Sequence, residues 1–223
     1  LRLLIVILGA AALAGCGGIR QLTLTPPALG FRYLTRLVDD GFDSGDHWRH
    51  YQSGNDLSMG VGDGVYRIDF SGRQYVWAER EGRHDNVVIE VDATQVSDYD
   101  HNAYGLACRL NAANNGRGYF FLISGDGYAS IRWSNGRSLD PIVSAAPSEH
   151  IRRGRSSNRI RAVCIDDYLA LWVNGHFAAE ARDERASQGG VALAGVMNYQ
   201  GRRLSVEFDD LKIWRAALDL GEL

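Results

Sequence analysis

The chain has 223 residues, 45% of them hydrophobic, and carries 24 basic against 27 acidic side chains for a formal net charge of -3. That length is enough for one full core, so a single domain is the expectation. The small negative charge excludes the global basic field that nucleic-acid binding draws on, and 26 glycines against 4 prolines suit tight turns between short strands better than a disordered linker.

Residues 1–13 form an apolar run interrupted only by Arg2 and Gly9, and Leu13-Ala14-Gly15-Cys16 closes it. The run is too short for a spanning helix, which needs about 20 apolar residues, and it has the form of a secretory h-region ending in small residues. The closing tetrapeptide resembles the bacterial lipobox, in which the cysteine takes the lipid on its sulfur. The resemblance implies a lipoprotein signal peptide at 1–15 and a lipidated Cys16 as the first mature residue. An ordinary cleaved signal peptide with an incidental cysteine is the alternative. Residues 17–40 contain Gly17-Gly18, Thr23, Thr25 and Pro26-Pro27 without a sustained period. Residues 16–40 are therefore expected to be a lipidated tether, with 33–38 either a short helix or a first edge strand.

From Gly41 onward, short β-like runs recur about every ten residues between turn residues, as in a sandwich or jelly roll. Strands are expected at 65–70, 75–78, 87–94, 103–110, 118–124, 128–133, 159–165, 168–173, 176–182, 191–196 and 204–214. Turns are marked by Gly125-Asp126-Gly127, Asn135-Gly136 and Asn174-Gly175. Asn-Gly is the strongest short hairpin signal, because a type I′ turn needs positive φ at both central residues. No ten-residue segment carries a helical period, although 147–153 has room for one turn. The domain is placed at 41–215, with 216–223 a C-terminal tail.

Alternation assigns faces. Val87, Ile89, Val91 and Ala93 oppose Glu90, Asp92 and Thr94; the core side of 103–110 reads Tyr104, Leu106, Cys108 and Leu110; Ile160, Ala162 and Cys164 oppose Arg159 and Arg161. With Cys16 lipidated, two thiols remain on inward strand positions of an exported chain, so a Cys108–Cys164 disulfide is expected. The alternative is two buried free thiols.

The segments at 43–48, 64–68, 88–93, 104–109, 119–123, 158–161, 171–175 and 208–211 together resemble the concanavalin A-like, laminin-G-like modules of bacterial exported proteins over most of 41–214. That resemblance implies an all-β, two-sheet antiparallel jelly-roll sandwich with a concave face, and a surface-recognition or carbohydrate-handling role. The superfamily hosts lectins, adhesive modules and glycosidases alike, so the fold alone does not choose among them.

Glu90 and Asp92 lie two residues apart on one strand face, about 7 Å along the chain, and resemble the start of the Glu-x-Asp motif of jelly-roll glucanases. Retaining hydrolysis needs a nucleophile and a separate acid, and the positions where the acid would fall hold Thr94 and Gln95. The pair is a weak catalytic candidate against an exposed acidic face, and the six histidines flank no nucleophile motif. Asp98, Asp100 and Asn102 place three oxygen donors at alternating loop positions, a weak calcium candidate. The glycine and distal glutamate of an EF-hand are replaced by Ala103 and Arg109. Arg152, Arg153, Arg155, Arg159 and Arg161 suggest either an anionic partner or a solvated, partly ion-paired surface.

Sugar binding wants exposed aromatic faces beside polar groups. Tyr119 with Phe121 and Tyr168 with Trp172 alternate on strands whose two faces are both apolar, which leaves one face for a second layer or a partner, and Tyr75 with Trp77 form a third alternating aromatic pair. The expected function is a lipid-anchored, extracytoplasmic recognition or adhesion module of the cell envelope, tied to the membrane by its lipid and binding carbohydrate or another cell-surface partner without catalysis. The alternatives are a jelly-roll hydrolase and a structural subunit docking a protein. No nucleic-acid partner and no cofactor is expected, calcium aside.

Overall fold

The computed structural model describes residue 27 and residues 29–219. Within them fifteen strands form two antiparallel sheets, with one 3-10 turn at Ala112–Asn114. The six-stranded sheet runs β10 (Leu139–Pro147), β9 (Tyr128–Ser134), β8 (Arg117–Ile123), β7 (Asn102–Asn111), β14 (Gly189–Met197) and β5 (Gln74–His84). The other runs β13 (His176–Arg182), β12 (Tyr168–Val173), β11 (Ser157–Ile165), β6 (Val87–Gln95), β15 (Arg203–Asp219), β4 (Val65–Ser71), β3 (Leu57–Gly62) and β2 (Tyr51–Ser53). A ninth strand, β1 (Gly30–Asp40), pairs with β15. No described helix is long and apolar enough to cross a membrane.

Alternation explains the layering. Val87, Ile89, Val91 and Ala93 of β6 enter the core, where they meet Ile160, Ala162 and Cys164 of β11 and Tyr104, Leu106 and Cys108 of β7. A sheet residue and its neighbour point to opposite faces, so each of these strands carries a second set outward. The turn joining β12 to β13 has Asn174 at φ 52° and Gly175 at φ 84°, the two positive values that a type I′ turn requires. Asp63 and Gly64, at φ 54° and 76°, form the equivalent turn between β3 and β4.

A disulfide joins Cys108 of β7 to Cys164 of β11 across the core, with the Cα atoms 6.8 Å apart. It ties the two sheets to each other at their buried faces.

Three expectations are corrected. The tether assigned to 16–40 gives way at Gly30–Asp40, which is strand β1 and so takes the strand rather than the helix alternative at 33–38, and residues 216–219 belong to β15 rather than to a tail, because Gly30 to Tyr33 pair with Asp219 to Ala216. Leu110 faces outward with Ala107, Phe120 and Leu122. The reason is a bulge: the β7–β8 register shifts after Cys108, where Arg109 has φ 52°, and one extra residue inverts every later side chain. Strands β2, β3 and β10 are additional to those expected. Cys16, the signal segment at 1–15 and residues 220–223 lie outside the described residues.

The end of the β1–β15 ribbon lies over the outer face of the nine-stranded sheet. Phe31 meets Trp172 edge-on at 5.2 Å, Tyr33 meets Trp214 at 5.1 Å, and Tyr33 Oη donates to Glu90 at 2.8 Å. Val88, Val163, Tyr168, Ala170 and Trp172 are thereby buried in a second apolar cluster that includes Phe31 and Leu218. The ribbon covers that outer face over β6, β11 and β12, while the β2–β4 end stays open, with all three residues of β2 and Arg67 of β4 exposed. The six-stranded sheet has its inner face on the core and its outer face open to a cleft.

Candidate functional site

The three aromatic pairs have three different fates. Tyr119 and Phe121 are wholly buried between the sheets, with the Tyr119 hydroxyl donating to Asp183 at 2.8 Å, so they are core and offer a ligand nothing. Tyr168 and Trp172 point out of the nine-stranded sheet but are sealed under Phe31, with the Tyr168 hydroxyl donating to Glu180 at 2.7 Å. Tyr75 and Trp77 remain. They stack at 5.7 Å on the outer face of the six-stranded sheet, and the Trp77 ring is packed against Gly116, where an added Cβ would lie 2.7 Å from the indole.

Glu90 and Asp92 sit on the outer face of the other sheet and are held by cations. Glu90 is 7% exposed and accepts from Tyr33 at 2.8 Å, Arg161 Nε at 2.6 Å and Arg159 Nε at 3.3 Å. Burial pushes its carboxyl up, but the Tyr33 and Arg161 hydrogen bonds and the two guanidinium charges outweigh burial and hold it below the usual range. Burial raises Asp92 instead, against the attraction of Arg159 at 2.9 Å and with the repulsion of Asp210. Glu90, saturated by donors and kept ionised, is therefore a poor proton donor. The arrangement is an ion-pair network bracing the ribbon, and it accounts for Arg159 and Arg161 of the arginine run.

Asp98, Asp100 and Asn102 do not converge. Asp98 faces Arg155 at 3.4 Å. Asp100 Oδ1 accepts from Gln95 Nε2 at 2.9 Å. Asn102 donates to Gln95 Oε1 at 3.1 Å and accepts from the Gly125 N–H at 3.2 Å. Their work is to brace the loop after β6 against the β8–β9 turn. No group of three or more His, Cys, Asp or Glu among the described residues is arranged to hold a metal ion.

That brace forms one wall of a cleft of about 850 Å³ on the outer face of the six-stranded sheet. Its floor crosses β5 at Tyr75, β14 at Val196, β7 at Ala103, β8 at Leu122, β9 at Ser130 and Arg132, and β10 at Leu139. The floor is therefore an apolar strip from Tyr75 to Leu122 that becomes polar toward β9. The Tyr75 and Ser134 hydroxyls are 3.4 Å apart. Two tyrosines stand at the rim, Tyr128 at 41% and Tyr199 at 51% exposed. Tyr199 is propped edge-on against Tyr99 at 5.6 Å, and Tyr99 in turn carries the Arg202 guanidinium at 4.8 Å. His101 Nδ1 lies 2.8 Å from Asp126 Oδ2, and the Ser124 hydroxyl donates to the same carboxylate group. Asp126 is the one carboxylate among the residues lining the cleft.

Tyr128, Tyr199, Ser130 and Arg132 were not among the residues that the sequence suggested. For three of them a signal existed: Tyr128, Ser130 and Arg132 alternate with Ala129, Ile131 and Trp133, which marks a polar outward face beside an aromatic. Tyr199 lies in the turn Asn198-Tyr199-Gln200-Gly201, where no period operates.

Chemically the cleft offers rigid aromatic faces, hydroxyls, one guanidinium in the floor and an apolar strip. This is the mixture that the CH faces and hydroxyl edges of a sugar match. It does not hold two facing carboxyls of the kind that glycoside hydrolysis uses.

No family model and no curated protein matches the chain. Solved structures do. The carbohydrate-binding module CBM66 from Bacillus subtilis superposes with a TM-score of 0.60 at 12% identity, covering 76% of this chain and 96% of the module. A prokaryotic β-1,3-1,4-glucanase (lichenase) from a mouse hindgut metagenome gives 0.61 at 10% identity over 82% of this chain and 100% of that one. A Bacillus subtilis protein of unknown function with a galectin-like fold gives 0.58 at 12% over 84% and 99%. At these identities the likeness establishes the architecture: the chain is an all-β, two-sheet jelly-roll sandwich of the form shared by a carbohydrate-binding module and a glucanase.

Proposed function

We propose that this protein is a carbohydrate-binding module of the cell envelope, held outside the membrane by a lipid on Cys16 and retaining glycans in the cleft of the six-stranded sheet without cleaving them. The observation that carries the reading is the cleft itself. The outer face of the nine-stranded sheet is roofed over β6, β11 and β12 by the β1–β15 ribbon, while that of the six-stranded sheet carries a cleft lined by Tyr75, Tyr128 and Tyr199 beside Ser130 and Arg132. A lone carboxylate, Asp126, already engaged by His101 and Ser124, supports binding over turnover. The lipid anchor rests on the lipobox-like residues 13–16 following an apolar run.

The likeness to a lichenase keeps one second reading, hydrolysis of a glucan by carboxyl groups outside the cleft. The experiment is a glycan and polysaccharide array on the chain from Gly17 onward, which retains every described residue, run with and without calcium and followed by product analysis on each hit. Saturable binding without new reducing ends supports the module. Product release would overturn it in favour of the hydrolase, and no binding across the array would remove carbohydrate as the ligand. Metabolic labelling of the full chain with a fatty acid, lost in Cys16→Ser, tests the anchor.

A further inference from the structure

The carbohydrate reading leaves one feature of the cleft unexplained, which is the charge in its floor. Arg132 projects from β9 into the cleft and is half-buried, yet no carboxylate comes within ion-pair distance of it among the described residues. Its Nε donates to Ser130 Oγ and its Nη1 to the Leu139 carbonyl, both at 3.3 Å. A guanidinium has five N–H donors; with those two used, three are left without a protein acceptor, including both on Nη2. Burial alone acts on its titration and lowers it, whereas Arg159 and Arg185, each beside a carboxylate, are raised.

The chain pairs many of its arginines: Arg67, Arg80, Arg159, Arg161, Arg182, Arg185 and Arg203 all meet carboxylates within 3.3 Å. The three arginines that line the cleft are not among these, nor are others such as Arg109, Arg117 and Arg152, whose side chains bond to carbonyl oxygens. Arg73 and Arg137 flank Arg132 at either end of the cleft, and neither side chain bonds to a described residue. The cleft's one carboxylate, Asp126, is committed to His101 and Ser124, so the lining carries an excess of positive charge inside a protein of net charge -3. A partly desolvated cation without a counter-ion is unfavourable unless something supplies the charge. A planar fork with free, adjacent N–H groups matches a carboxylate through two parallel hydrogen bonds.

Resting on the carbohydrate reading of this cleft, we infer that the ligand is an acidic saccharide, a uronic-acid-type sugar whose carboxylate docks on Arg132 while its ring lies toward the apolar strip and the rim tyrosines. Arg73 and Arg137 meet further charges along the same polymer.

The test measures binding of the chain from Gly17 onward to polygalacturonate, alginate and a glucuronate-containing polymer, each beside its carboxyl-reduced counterpart, with dextran sulfate as a sulfated control. The expected result is at least one acidic polymer bound about tenfold or more better than its reduced form, with affinity falling as salt is raised. Arg132→Gln removes that preference, and Arg132→Lys restores only part of it because a point charge lacks the fork. Circular dichroism and the melting temperature establish that each variant is folded. Equal binding of reduced and acidic forms, a preference that survives Arg132→Gln, or binding of dextran sulfate as tight as that of the uronates would each overturn the inference and leave the carbohydrate reading standing. Binding to none of these polymers, with a neutral glycan bound on the array, overturns the inference alone; no glycan bound at all overturns both.

Discussion

Removing the covalent tie between the sheets is the sharpest perturbation of this fold. Cys108 and Cys164 are both fully buried, and 56 positions separate them along the chain. In the chain-entropy model a closed loop of that size restricts the unfolded chain by about 4 kcal/mol. The double variant Cys108→Ala/Cys164→Ala also gives up two sulfurs packed in the core, which adds to the loss. For a chain of this size about 1 kcal/mol corresponds to roughly 2–4 °C, so the melting temperature is expected to fall by roughly 10 °C. The assay is equilibrium urea denaturation of the oxidised protein and the double variant, analysed for both the midpoint and its slope. The slope should rise in the variant, because an unfolded chain without the cross-link exposes more surface. A loss below about 1 kcal/mol with an unchanged slope would refute the argument.

Trp172→Ala is expected to destabilise the protein by about 3–5 kcal/mol, because the indole is sealed beneath Phe31, while leaving glycan affinity at 25 °C unchanged; affinity and melting measured on the same sample separate the two. Tyr199→Ala and Tyr128→Ala should do the reverse, each weakening binding by about 1–2 kcal/mol with the melting temperature held, as titration calorimetry would read. Burial raises the Asp40 carboxyl, but hydrogen bonds from the Trp48 indole, the Phe42 N–H and Arg80 outweigh it and hold it below its ordinary value. A depressed folded pKa contributes stability above the unfolded value near 4, and that stability is lost as pH falls through the folded value. Asp40→Asn should therefore lower stability at pH 7 and flatten its fall below pH 4, measured by urea midpoints across pH; an acid limb as steep as the parent's would refute the assignment.

Most of the sandwich was legible because its central strands obey a period of two over seven to ten residues. β6 reads apolar and polar in turn from Ile89 to Thr94, and Asn174-Gly175 announces its hairpin in two letters. What could not be read depends on distant partners. β1 looked like tether because its stabilising neighbour is the far end of β15, some 180 residues away. β10 sits at an edge and carries Pro141, which a central strand would not tolerate. The aromatic pairs show the limit most clearly. On β8 and β12 both faces are apolar, so alternation identifies two sets without saying which faces the core or which is roofed by another segment. The roof over Trp172 is built by Phe31, and nothing local to β12 signals it. Leu110 was misplaced because a single bulge at Arg109 inverts the alternation. Tyr199, in a turn, has no period to betray it.

The central claim is that the cleft on the six-stranded sheet is where the ligand sits, and plugging it tests that most directly. Ala145 is an exposed β10 residue lining the cleft, so Ala145→Trp narrows the space without disturbing the core. For whichever glycan the array identifies, the account predicts loss of measurable binding in Ala145→Trp with an unchanged melting temperature. Undiminished affinity in that folded variant would place the site elsewhere and contradict the account.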